Sequence, residues 1–235
     1  MTYPIFKVAN ILSHCFIPGF IRPNGMVIDC GSNNGDFSRW ISRHTDANVH
    51  GFEADPDLHA KLPKLDRVQF HNLAIDGNSG FLELHRAEGF CSSGHYDNKI
   101  TALETVTVPK ISFTEFYQQN QLGIIDLLKL DIEGCELNLF EKTPDEILLN
   151  ISQITVEFHD FIDPNDLPRI HAISQRLQNI GFRQIKFSRG CWANCLFVNT
   201  KLNSFGPVDS MIALSKGWLI SSLKRRLTGN SDNIS

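Results

Sequence analysis

From residue 26 onward, short apolar runs alternate with stretches of helical periodicity. A chain patterned this way satisfies its hydrophobic faces by stacking βαβ units into a mainly parallel sheet. The runs at 26–30, 49–53, 68–73, 124–130, 151–158, 183–187 and 194–198 are the expected strands, and 36–44, 56–64, 113–120, 135–142 and 165–180 the expected helices. Punctuation agrees with periodicity: Ser112 and Glu115 form a capping box, and Gly181 stands where the helix before the sixth strand should stop. Only residues 188–192 join the last two runs, too few for a parallel crossover, so those strands should form an antiparallel hairpin at the sheet edge. Residues 81–86 and 105–108 read as extra strands flanking a polar insertion at 88–99, a lid or an edge hairpin. The expectation is an α/β, doubly wound fold on a seven-stranded sheet.

With 235 residues, the chain holds one well-buried core, divided here into an N-terminal appendage (1–24), one domain (25–202) and a C-terminal segment (203–235). The last part combines Ile212, Leu214, Trp218, Leu219 and Leu223 with Lys216, Lys224, Arg225 and Arg226, a basic amphipathic helix that packs back on the domain or touches an anionic membrane surface. A disordered tail is expected at 228–235. A net charge of -4 gives no general pull toward nucleic acid phosphates, and no nucleic acid partner is expected. The six cysteines are scattered, several inside apolar runs, and read as reduced thiols. Prolines at 4, 18 and 23 interrupt the apolar N-terminus, and without a signal peptide or a span the expected compartment is the cytoplasm.

Chemistry concentrates at the ends of the expected strands. Residues 27–37, V-I-D-C-G-S-N-N-G-D-F, run an apolar strand into a glycine loop and a helix start, a place where backbone N–H groups approach a ligand. The loop lacks the G-x-G-x-x-G of a dinucleotide site and the lysine of a P-loop, which disfavours NAD and ATP. Glu53 ends the second strand, where a carboxylate grips ribose hydroxyls or complements a helix N-terminus. Asn72, Leu73 and Ala74 follow the third strand, where an adenine would lie. The fourth strand ends in L-D-I-E-G-C-E. Its Asp131 should face the reacting centre at the topological switch point, while Glu136 complements a helix dipole and Glu133 divides between the two roles. Glu157 and His159 end the fifth strand beside Asp131.

D-C-G-S-N-N-G from Asp29, G-F-E-A-D-P from Gly51, N-L-A from Asn72, K-L-D-I-E-G-C-E from Lys129 and V-E-F-H from Val156 stand in an order and spacing that resembles the FkbM-type methyltransferases over roughly residues 25–200. Ala54 departs from the proline common there. The resemblance implies a class I methyltransferase fold with an antiparallel last strand, S-adenosylmethionine as donor, and O-methylation of a sugar, glycan or other small-molecule hydroxyl. It also implies that Gly31, Asn33 and Gly35 cradle the methionine portion, Asp29 orders their loop, Glu53 holds the ribose and Asp131 sits near the methyl. His159 is then the expected general base, oriented by Asp131 or Glu157. A variant places a divalent cation on Asp131, Glu157 and His159. The contrasting reading is a non-catalytic cofactor-binding scaffold in a glycan-modifying complex; a nucleotide-dependent oxidoreductase is disfavoured by the missing G-x-G-x-x-G.

Overall fold

The computed structural model describes residues 7–87, 90–93, 104–188 and 190–228. It opens with an antiparallel hairpin, β1 (Ala9–Ile11) and β2 (His14–Phe16), turned through left-handed backbone at Leu12 and Ser13. Then follow β3 (Met26–Cys30), α1 (Asp36–His44), β4 (Asn48–Phe52), α2 (Pro56–His59), β5 (Val68–His71) and β6 (Ala74–Asp76). The middle of the chain forms β7 (Gly80–Ala87), β8 (Phe90–Ser93), β9 (Glu104–Ser112), α3 (Phe113–Gln119), β10 (Leu127–Leu130) and α4 (Glu136–Lys142). Last come α5 (Asp145–Leu148), β11 (Gln153–Val156), α6 (Leu167–Ile180), β12 (Phe182–Lys186), β13 (Cys195–Asn199) and α7 (Pro207–Thr228).

The main sheet has seven strands in the order β12-β13-β11-β10-β3-β4-β5, as the alternation of apolar runs requires. All neighbours are parallel except β13, which runs antiparallel to both β11 and β12. Each central strand is buried on both sides, which explains why these runs read as continuous apolar sequence rather than alternation. Ile28, Cys30, Leu128, Leu130 and Ile154 meet Phe113, Phe140, Ile173 and Leu177 from α3, α4 and α6. On the other face Val27, Val49 and Leu127 meet Phe37 and Ile41 of α1 and Phe16 of the hairpin. Leu196 and Val198 pack on Phe205 and on Ala213 of α7. The first turns of α7 thus lie on the domain; the side chains of residues 218–228, including Lys224, Arg225 and Arg226, and the tail at 229–235 lie outside the described residues.

A second, four-stranded sheet in the order β6-β9-β7-β8 grows from the segment between the third and fourth central strands. The 81–86 and 105–108 runs are its β7 and β9, antiparallel to each other, whereas most of the expected insertion, at 88–89 and 94–103, lies outside the described residues. Several expected elements are shorter than the periodicity indicates, among them the strands at 124–130 and 151–158, observed at 127–130 and 153–156. The helix at 56–64 stops after His59, because Pro63 disfavours helical backbone at Leu62. The strand at 68–73 stops at His71, and Ala74 begins β6 of the second sheet. Among the described residues no helix is long and apolar enough to cross a membrane.

Candidate active site

The adjacent central strands β3 and β10 end side by side, and the loops leaving them build one site. In register, Asp29 of β3 lies beside Lys129 of β10, and Lys129 beside Thr155 of β11. This polar row crosses an otherwise apolar face. A charge buried there needs partners, and Lys129, 3% exposed, has them: its Nζ donates to the carbonyl oxygens of Gly31 (2.5 Å) and Cys30 (3.2 Å) and sits 3.4 Å from Asp29 Oδ1 and 3.5 Å from Asp131 Oδ2. Burial alone would lower its pKa, but Asp131 and Asp29 outweigh that and raise it, so the ammonium stays charged. Asp29 Oδ2 accepts from the Ser38 hydroxyl of α1 at 2.6 Å. Asp29 thus links α1 to Lys129, whose ammonium in turn holds the carbonyl of Gly31.

Gly31 has φ +83, and a Cβ there would lie 1.8 Å from the carbonyl oxygen of Asp131. Only glycine lets the two loops approach this closely. Gly35 begins α1 from left-handed backbone (φ +75), with Leu62, Pro63 and Phe70 packed behind it. Asn33 and Glu133 also take positive φ, +48 and +52, the sparsely populated backbone that gathers at functional sites. Glu53, 7% exposed, accepts from the backbone N–H of Asn33 (2.7 Å) and of Asp55 (2.9 Å); burial raises its pKa against these two hydrogen bonds.

These loops open on a cleft lined by Gly31, Asn33, Glu53 and Asp131, with apolar walls from Leu58, Ile75, Leu82 and Leu84. Of the expected cofactor residues, Gly31, Asn33, Glu53 and Ala74 line it. Asp29, Gly35 and Asn72 stand behind it. The Asn72 amide donates to the carbonyl oxygens of Glu53 (3.0 Å) and Ala54 (3.1 Å), so it shapes the Glu53 turn and offers no group to the cleft. The second sheet is fastened above by Arg86 of β7, which pairs with Asp55 (2.6 Å), Asp57 (3.0 Å) and Glu104 (2.9 Å).

Asp131 has Oδ2 3.2 Å from His14 Nε2 and Oδ1 3.8 Å from His159 Nε2. Burial alone would raise the Asp131 pKa, but Lys129, His14 and His159 hold it well below the usual carboxylate range. His159 lies 3.2 Å from Glu133 Oε2 and 3.4 Å from Glu136 Oε1. Burial would lower its pKa, yet Glu136 and Glu133 push it up to about 11. An imidazole held as the cation donates a proton rather than accepting one, a charge state at odds with the general-base role expected of His159. Glu157 is also raised, to about 7, by burial and by the Asp131 charge, which in a carboxyl favours the neutral form. Glu136 does more than complement a helix dipole: it accepts from the N–H groups of Ile132 (2.7 Å) and Gly134 (3.0 Å) and so closes the loop after β10.

Asp131, Glu157 and His159 do not form one compact donor set. Among the described residues Asp131 belongs to two, His14–Asp131–Glu157 and Asp131–Glu133–His159, each with donor atoms within 4.8 Å. His14 and Lys129 are the contributors not assigned a role from sequence. Lys129 carries a signal, a lone cation in the apolar run L-L-K-L, which demands a buried partner. His14 carries none, since nothing local ties it to a residue 117 positions away.

A doubly wound sheet with one antiparallel strand next to its edge, and a glycine loop and an acid at the ends of neighbouring strands, define a class I methyltransferase fold. The methyltransferase FkbM domain model matches residues 29–184, and the chain belongs to that family. It is 26% identical over 147 residues to the hexuronic acid methyltransferase AglP of Haloferax volcanii, an alignment covering 60% of this chain and 59% of that relative's length. Similar solved structures include a Streptococcus thermophilus rRNA methylase (10% identity, 76% of this chain and 87% of that chain, TM-score 0.41) and the Methanococcus jannaschii fibrillarin pre-rRNA processing protein (11%, 82% and 69%, TM-score 0.43).

Proposed function

We propose that the protein is an S-adenosylmethionine-dependent methyltransferase that O-methylates a hydroxyl of a sugar or glycan. The observation that carries this reading is the cleft itself: a buried carboxylate at the end of β4, a glycine loop at the end of β3, an apolar wall from the second sheet, and Asp131 at the end of β10. These residues fit the donor. Glu53 suits the ribose hydroxyls, Gly31 and Asn33 the methionine portion, Ala74, Ile75, Leu82 and Leu84 the adenine, and Asp131 the sulfonium. Bound there, S-adenosylmethionine supplies a methyl group already activated by its positive sulfur.

The remaining work is positioning and proton management. Asp131 orients the acceptor oxygen in line with the methyl. Glu157, displaced to about 7, takes the hydroxyl proton as the C–O bond forms and the C–S bond breaks. The His159 cation keeps Glu133 and Glu136 in place and balances the acidic cluster. The relative named for hexuronic acid methylation supports a sugar acceptor.

Calorimetric titration of the purified protein with S-adenosylmethionine and S-adenosylhomocysteine tests this, beside Glu53→Ala and an NAD control. The reading expects saturable binding of both, lost in Glu53→Ala, and none of NAD. A folded protein that binds neither methionine derivative would overturn this reading.

A further inference from the structure

His14 lies outside the matched family domain, on a hairpin that packs against the central strands, and it is 1% exposed. Its Nε2 is 3.2 Å from Asp131 Oδ2, its Nδ1 3.4 Å from Thr155 Oγ1, and its ring stands edge-on to Phe37 at 6.0 Å. The hydrogen-bond inventory fixes the tautomer. An ionised carboxylate only accepts, so Nε2 carries the proton and donates to Asp131; in the neutral ring Nδ1 then accepts from the Thr155 hydroxyl. Lys129 does not replace this bond. Its ammonium is directed at the Gly31 and Cys30 carbonyls and at Asp29, and Asp131 Oδ2 is the most distant of these four oxygens, at 3.5 Å.

We infer that His14 is a positioning residue for the reaction: the N-terminal hairpin reaches across the sheet to pin one oxygen of Asp131 and turn the other toward the cleft. Thr155 sets the ring from behind, and the register of β10 with β11 places Thr155 beside Lys129, so hairpin and polar row act on the same carboxylate. The inference rests on the proposed function, in which Asp131 faces the sulfonium. It assigns a part of the reaction centre to residues before the family domain begins.

The test uses the full chain and binding alone, so it needs no acceptor. In His14→Phe, which keeps a ring but has no donor, the ratio of S-adenosylmethionine to S-adenosylhomocysteine affinity is expected to fall at least fivefold, with affinity for the uncharged S-adenosylhomocysteine within twofold of wild type. His14→Gln, which restores an N–H donor, is expected to hold the ratio within twofold. In an Asp131→Asn background, His14→Phe should have no further effect on the ratio. A purely structural histidine would weaken both ligands together; an unchanged ratio in His14→Phe, or a loss that persists without the Asp131 charge, overturns the inference. A wild-type protein that binds neither ligand overturns the proposed function, and this inference with it. Should His14→Phe not fold, nitrogen-15 NMR of the wild-type histidines decides: Nε2 protonated and Nδ1 bare is expected, and the opposite tautomer refutes it.

Discussion

The buried ammonium of Lys129 donates to the carbonyl oxygen of Gly31 at 2.5 Å, tying β10 to the glycine loop that follows β3. Asp29 on the same face lies 3.4 Å away, so removing the cation strands a buried carboxylate as well as freeing the loop. Lys129→Met should cost about 3–5 kcal/mol, the range for breaking one side of a buried ion pair, and should abolish cofactor binding. Urea denaturation and calorimetry on the same preparation measure both.

The acceptor proton gives a pH dependence with a definite sign. Glu157 is raised from its ordinary 4.5 to about 7, so it is protonated and idle in acid and becomes competent as pH rises through neutrality. The rate with a sugar acceptor should climb through a midpoint near 7. Glu157→Gln should remove that limb and slow transfer roughly 10²–10⁴-fold. An unchanged profile in the variant would assign the limb to another group.

His159 predicts a stability effect opposite to that of a free histidine. Its folded pKa, about 11, lies above the ordinary 6.5, so the folded state holds the proton more tightly. That contribution is full below 6.5 and disappears as pH rises toward 11. The stability gap between wild type and His159→Gln should therefore be constant in mild acid and narrow between about pH 7 and 10. Denaturant midpoints across that range read it directly.

Arg86 joins the second sheet to Asp55, whose N–H in turn holds Glu53. In Arg86→Leu the wall carrying Leu82 and Leu84 loses its fastening while the central sheet is untouched. S-adenosylmethionine should bind roughly tenfold more weakly, about 1.4 kcal/mol, with the urea midpoint little changed. Equal affinity in variant and wild type would show that the wall stays in place without the ion pair.

The central sheet was legible because its middle strands are buried on both faces, and every apolar run from 26–30 to 194–198 corresponds to a strand, with ends shifted by a few residues. The acids at the strand ends were legible for the same reason, since a strand that finishes in Glu53 or Asp131 must deliver it to the crevice. Charge states were not. No local pattern announces that Glu133 and Glu136 lie 3.2 and 3.4 Å from His159, or that Glu133 takes left-handed backbone. The hairpin of residues 9–16 escaped notice because its two strands have three residues each and turn through Leu12 and Ser13, not the glycine or asparagine that usually marks such a turn.

The place of β13 in the strand order also governs how the chain can be assembled. It follows β12 in the chain, yet it lies between β11 and β12 and is hydrogen-bonded to both. A nascent chain that has emerged only as far as β12 has every candidate catalytic side chain in place, but β11 still presents an open edge where Gln153–Val156 will later pair. Such an edge recruits other strands while it waits. Ribosomal pausing just before Cys195 would leave this chain at its most aggregation-prone, and truncations there should yield inclusion bodies rather than a smaller working enzyme.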